Sequence, residues 1–244
     1  MKVFAPAKVN LGLRVLGTRA DGFHALDSVV ALLGFGDDVE LEQAETTTLE
    51  TVDDGVGLGA LPTDIERNLA VRAVRLLERE VGRPLPTRIR ITKRIPLGGG
   101  LGGGSTDAAA VLRGMNDLWA LGLSRERLCA LGAELGSDVP LFLLDGTVRM
   151  TGRGETVERL PMDGAPPLWL VLANDGSHCS TPQVYGAWDA GHPKHQRTEN
   201  REQKTENAPA GRPAEPSSEG ATPVSPESPV SPVSPTGRQP ISQS

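Results

Sequence analysis

PLGGGLGGGST, residues 96–106, is the stretch on which the reading of this chain turns, and Asp107-Ala108-Ala109-Ala110-Val111-Leu112 follows it directly. Glycine has no Cβ and tolerates φ > 0, so backbone N–H groups can converge on a ligand at close range. A helix that begins right after such a loop adds unpaired N–H donors and the positive end of its dipole. Together these make an anion site, most often for phosphate. Just upstream, Arg88-Ile89-Arg90-Ile91-Thr92 alternates as a half-buried strand does and runs into the glycines. The loop is not a Walker A motif, since no GK[ST] closes it. Glycine at nearly every position also makes any match to G-x-G-x-x-G uninformative. Alone, the run fits a flexible surface turn as well. Its flanks favour a phosphate cradle, with Ser105 or Thr106 offering a hydroxyl to a phosphate or a magnesium ion.

Outward from the loop, the pattern is α+β. Residues 104–118 read as the helix after the glycines. Residues 68–80 read as a helix before them, with Leu69, Ala73, Leu76 and Leu77 on one face. Ser124 is placed to N-cap a further helix that ends before Gly136. Residues 8–16 and 28–33 alternate as strands, and residues 39–42 with 49–52 look like a further pair. Residues 147–151 and 156–160 suggest a hairpin across Gly152 and Gly154. Residues 168–172 read as a buried strand, and 181–188 as a short helix.

Composition narrows the class. Aromatics are 3% of the 244 residues, so Leu, Val and Ala must build the core. A formal charge of −6 argues against a nucleic-acid partner, which usually calls for a basic excess. The two cysteines, Cys129 and Cys179, lie outside any CxxC or Cys/His cluster, so neither a disulfide framework nor a zinc site is expected and a reducing cytoplasm fits. The N-terminal apolar stretch is broken by Pro6, Lys8 and Asn10, and no later run reaches the roughly 18 apolar residues of a membrane span. After Trp188 the composition changes to QRTENREQKTEN and then PSSEGATPVSPESPVSPVSPTGRQP. Such a segment buries too little apolar surface to offset its ordering entropy, so disorder is expected, either as a linker or as a Pro-rich ligand for a partner.

Three more segments carry chemistry. In Pro6-Ala7-Lys8-Val9-Asn10-Leu11, strand alternation sets Lys8 and Asn10 on one face, a cation beside a hydrogen-bonding amide. In Gly136-Ser137-Asp138-Val139-Pro140, an aspartate sits where burial begins. Held near a lysine it would stay ionised and accept a proton from a substrate hydroxyl, although an Asx turn or helix cap is the commoner fate of such a residue. In Asp21-Gly22-Phe23-His24, a turn presents an aromatic and a histidine that can stack on, and hydrogen-bond, a base.

Jointly and in this order, APAKVNLGLRVLGTRADGFHAL, KRIPLGGGLGGGSTDAAAVL, GSDVPLFL and GRGE at residues 152–155 resemble the GHMP small-molecule kinases, across Phe4 to about Trp188. The resemblance implies a two-domain GHMP kinase-like α+β fold that transfers the γ-phosphate of ATP to an alcohol with Mg²⁺. The acceptor it implies is a cytidylyl sugar alcohol used in isoprenoid biosynthesis. Lys8 and Asp138 map to the catalytic pair. Pro96, Leu97, Gly98, Gly99, Gly100, Leu101, Gly102, Gly103, Gly104, Ser105 and Thr106 map to the ATP phosphate loop, with Asn68 near the nucleoside. Asn10, Phe23, His24, Thr181 and Tyr185 map to the acceptor side, with Phe23 in place of the usual tyrosine. The implied partner is that small molecule, with no nucleic acid and no membrane, in a monomer or homodimer. After Trp188 nothing resembles the third, glycine- and serine-rich motif of the family. The expectation is therefore an ATP-binding domain over residues 1–160, a C-terminal-domain fragment over 161–189 and a low-complexity tail over 190–244 left by truncation or a frameshift.

Overall fold

A computed structural model of the chain describes residues 1–19, 21–58, 64–144, 146–162, 164, 166–174 and 181–192. The segment beyond residue 192, with its Pro-rich repeat, lies outside the described residues, as does Cys179. A six-stranded sheet forms one layer. Its long members are β1 (Lys2–Thr18) and β2 (His24–Gln43), antiparallel along their whole length. β1 takes one edge of β2. The other edge is shared: the second half of β2 pairs with β4 (Thr87–Lys93), and its first half with β5 (Val148–Gly152). β3 (Thr48–Asp53) adds in parallel to β4, and β6 (Thr156–Arg159) closes the expected hairpin with β5.

Helices α1 (Leu69–Val81), α2 (Gly103–Leu118) and α3 (Arg125–Leu135) are joined to the sheet in one core. α1 buries Ala70, Val71, Ala73, Val74, Leu76 and Leu77, the spacing of a 3.6-residue repeat. Asn68 caps its start by accepting from the Ala70 amide at 2.9 Å, and Gly82 ends it in the left-handed region at φ 68°. Ser124 caps α3 as expected, accepting from Arg127. α2 is rich in small residues, so it lies close against the sheet. A Cβ on Gly114 would sit 2.5 Å from Leu41 Cδ1 and 2.8 Å from Val3 Cγ2.

Two expectations are corrected. Residues 39–42 do not pair with 49–52; they end β2 and pair with β1 and β4, while β3 uses the far side of β4. An alternating pattern specifies a face, not a partner. Residues 168–172 are neither strand nor buried: Trp169 is 90% and Val171 97% exposed. A run this apolar reads as buried from its composition, but nothing described covers it. After it, α4 (Thr181–Gly191) forms as a helix slightly longer than the sequence suggests. No described helix is long and apolar enough to cross a membrane.

Candidate active site

Three elements meet at the glycine loop. Gly98, Gly100 and Gly102 hold φ of 70°, 72° and 76°, so left-handed residues alternate along the run. An alternation of this kind is the backbone pattern that can turn successive N–H groups toward one side, and it is open only to glycine at low cost. Gly102 is also the N-cap of α2, so the cradle passes straight into the positive end of a 16-residue helix.

β1 reaches this cradle through a bulge. The β1–β2 register shifts between Pro6 and Lys8, which frees the Lys8 amide to donate to Leu101 O at 3.0 Å. A bulge here re-aims the lysine side chain. Lys8 Nζ donates to Asn10 Oδ1 at 2.8 Å, the Asn10 amide donates to Ser28 Oγ at 2.7 Å, and Ser28 Oγ donates to Gly12 O at 2.9 Å. The side-by-side placement expected of Lys8 and Asn10 is thus present.

Asp138 lies on the turn between α3 and the 3₁₀ turn Pro140–Leu143. Buried Val139 and Phe142 anchor that turn. Phe142 and the Lys8 stem both press on Gly102, where a Cβ would stand 2.6 Å from Phe142 Cζ and 3.2 Å from Lys8 Cγ. Burial pulls the Lys8 ammonium below its ordinary pKa, and the negative charge of Asp138 pushes back. The Tyr185 phenol is pushed up, first by burial and then by the same carboxylate. Asp138 therefore lies within electrostatic reach of both Lys8 and Tyr185.

Where α4 meets the start of β2, His24 stacks on Tyr185 with ring centroids 4.5 Å apart, and Trp188 meets His24 edge-on at 5.8 Å. Asp189 Oδ1 holds His24 Nε2 at 2.8 Å. Phe23 stands apart from this stack, 52% exposed, with the Arg153 guanidinium over its ring at 5.1 Å. The Thr181 side chain lies outside the described residues. Beside the loop, a cavity of about 470 Å³ is lined by Phe35, Asp54, Gly55, Val56, Gly57, Arg94, Pro96, Leu97 and Asn174. Asn68 serves chiefly as the cap of α1, whose first residue reaches toward the loop: Leu69 Cδ1 would lie 3.7 Å from a Cβ on Gly104.

The sequence reading missed a buried charge cluster under the loop. Lys93 Nζ, at the end of β4, donates to Asp37 Oδ2 of β2 and to Asp107 Oδ2 of α2, the latter at 2.7 Å. All three are nearly sealed, at 0% exposure for Asp37, 4% for Lys93 and 5% for Asp107. Burial pushes the Asp107 carboxyl up to about 7; the Lys93 ammonium pulls it back down, and the nearby Asp37 charge pushes it up again. Asp107, next to the loop in sequence, was the visible clue; its partners are distant in the chain. Among the described residues no cluster of His, Cys, Asp and Glu could hold a metal ion by itself.

Comparison with known proteins agrees with this geometry. Residues 68–146 match the GHMP kinases N terminal domain. A 4-diphosphocytidyl-2-C-methyl-D-erythritol kinase of Chromobacterium violaceum is 45% identical over 184 residues, 74% of this chain and 61% of the relative. The enzyme of the same name from Shouchella clausii is 41% identical over 198 residues, 80% of this chain and 63% of the relative. The crystal structure of a 4-(cytidine 5'-diphospho)-2C-methyl-D-erythritol kinase superposes with a TM-score of 0.55 at 39% identity, covering 66% of this chain and 55% of that one. A homoserine kinase from Cytophaga hutchinsonii, 22% identical with a TM-score of 0.53, shares the fold over 78% of this chain and 65% of its own. The chain spans about three fifths of the length of the curated relatives it matches. The glycine loop and the Asp138 turn both fall inside residues 68–146, and that stretch of the chain is a GHMP kinases N terminal domain.

Proposed function

We propose that the site transfers the γ-phosphoryl group of ATP to the 2-hydroxyl of 4-diphosphocytidyl-2-C-methyl-D-erythritol. The observation that carries this is the convergence on Gly102: the loop, the Lys8 stem and the ring anchoring the Asp138 turn meet at one residue. In the reaction Asp138 accepts the hydroxyl proton as the acceptor oxygen bonds to the γ-phosphorus. The bond to the β-phosphate oxygen breaks and ADP leaves. Lys8 keeps Asp138 ionised and steadies the attacking oxygen. Such a transfer needs alignment and charge neutralisation more than covalent help. Pro96 to Thr106 would wrap the phosphates, and the cavity bounded by Phe35, Val56 and Leu97 would take the nucleoside. Magnesium would enter with the triphosphate, keep several of its waters, and neutralise the phosphate charge. The half-buried Ser105 hydroxyl in the first turn of α2 suits the remaining contact. Asn10, Phe23, His24, Thr181 and Tyr185 form the acceptor side. On this reading residues 1–160 are the ATP-binding domain, 161–189 a fragment of the second domain and 190–244 a tail.

One observation favours a second reading. Residues 168–172 expose Trp169 and Val171, a surface that wants covering. A nucleotide-binding remnant without turnover fits that. The test is phosphorylation by the full chain, with ATP, Mg²⁺ and the cytidylyl alcohol, followed by ³¹P NMR. The proposal expects product, absent in Asp138→Ala and Lys8→Ala. ATP binding without turnover in the unaltered chain would instead establish the remnant.

A further inference from the structure

The glycine loop leaves β4 and returns into α2, so its shape depends on how those two ends are fixed relative to each other. Both ends are tied to the same carboxylate–ammonium–carboxylate chain. At the leading end, Asp37 Oδ1 accepts from the Arg94 amide at 2.6 Å and the Ile95 amide at 2.8 Å, the last two residues before Pro96. Its other oxygen accepts from Lys93 Nζ. At the trailing end, the same ammonium donates to Asp107 in the first turns of α2. Gly103 lies directly over it: a Cβ there would be 3.3 Å from Lys93 Nζ. Asp107 Oδ1 is sealed from solvent with no hydrogen-bond partner, an arrangement that costs stability and calls for a role other than stability.

We infer that Asp37, Lys93 and Asp107 are positioning residues, a buried clamp that joins the two ends of the Pro96–Gly102 loop and presets its backbone for a triphosphate. None of the three touches the reacting atoms; they act through the loop amides. A preset loop binds its ligand without first losing backbone freedom, so loosening the clamp weakens ATP and leaves the acceptor side alone. The ATP part of this inference rests on the function proposed above, whereas the loop-ordering part does not.

The test compares the full chain with Asp107→Asn, Asp37→Asn and a control, Val148→Ala, which removes core volume in β5, a strand that takes no part in the clamp. Amide hydrogen exchange without ligand is read first. The expected result is exchange faster by about tenfold or more in a peptide spanning residues 97–106 for both Asn variants, with β5–β6 peptides unchanged. Val148→Ala should show the reverse pattern. Calorimetric titration with ATP is read second: the dissociation constant should rise about tenfold in Asp107→Asn, while affinity for the cytidylyl alcohol stays within about twofold. Loop exchange within about twofold of the unaltered chain overturns the clamp, as does equal loosening of loop and β5–β6. Failure of both Asn variants to fold also overturns it, since the cluster would then serve the whole fold. If the unaltered chain binds no ATP, the proposed function fails, and the exchange result still decides the clamp.

Discussion

Gly100 and Gly102 separate two costs that are usually confounded. Both hold left-handed φ, at 72° and 76°. A Cβ on Gly100 would meet nothing within 4 Å, whereas one on Gly102 would strike Phe142 Cζ at 2.6 Å. Gly100→Ala should therefore cost only the left-handed penalty, about 1–2 kcal/mol. Gly102→Ala should add overpacking of about 1–3 kcal/mol and push Lys8 and Phe142 apart. Denaturant melts of the two variants measure the difference. Pairing Gly102→Ala with Phe142→Leu should recover the overpacking part and leave the conformational part. Equal stability of the two single variants would remove the claim that Gly102 is the packing pivot of the site.

At the scale of elements, α4 reaches the site through a few side chains. Tyr185 lies over His24, and Asp189 holds the imidazole Nε2. Under the proposed function, Asp189→Ala frees that ring, so affinity for the cytidylyl alcohol should fall about tenfold, the size of one hydrogen bond to a charged group, with ATP affinity unchanged. Titration calorimetry with each ligand reads the contrast. The elements themselves were largely legible in the residues. Ser124 marks a helix start by cap chemistry that acts within a turn, the apolar repeat of Leu69, Ala73, Leu76 and Leu77 shows the buried side of α1, and Arg88 to Thr92 shows its face by alternation. Lys8, the glycines and Asp138 stood out because each combines a residue type with a local break in pattern. What could not be read were the pairings at long range. Asp37 looks like any acidic residue after a glycine until β2 sets it against Lys93. Asp189 sits in a segment whose composition says nothing of His24. Alternation left the partner of residues 39–42 open, and hydrophobicity alone misread residues 168–172.

For the whole molecule, the exposed run at residues 168–172 is the feature expected to govern behaviour in solution. Leu168, Trp169 and Val171 are 65%, 90% and 97% exposed, a contiguous apolar stretch of the kind that drives association. Trp169→Ser with Val171→Thr should lower concentration-dependent light scattering while leaving the melting temperature within a degree or so, since neither side chain lies in the core. A marked fall in melting temperature would mean that the run is covered in solution. The length of β2 carries another consequence, for how the chain is made. Its first half pairs with β5, so Leu26 must wait for Gly152, while its second half waits only for β4. As a ribosome delivers the chain from its N-terminus, the β1–β2 ribbon emerges early with half of one edge unsatisfied until residue 152 appears. During that interval the longest strand of the sheet stays open to mispairing along its first half, and a pause in translation before residue 148 would lengthen it.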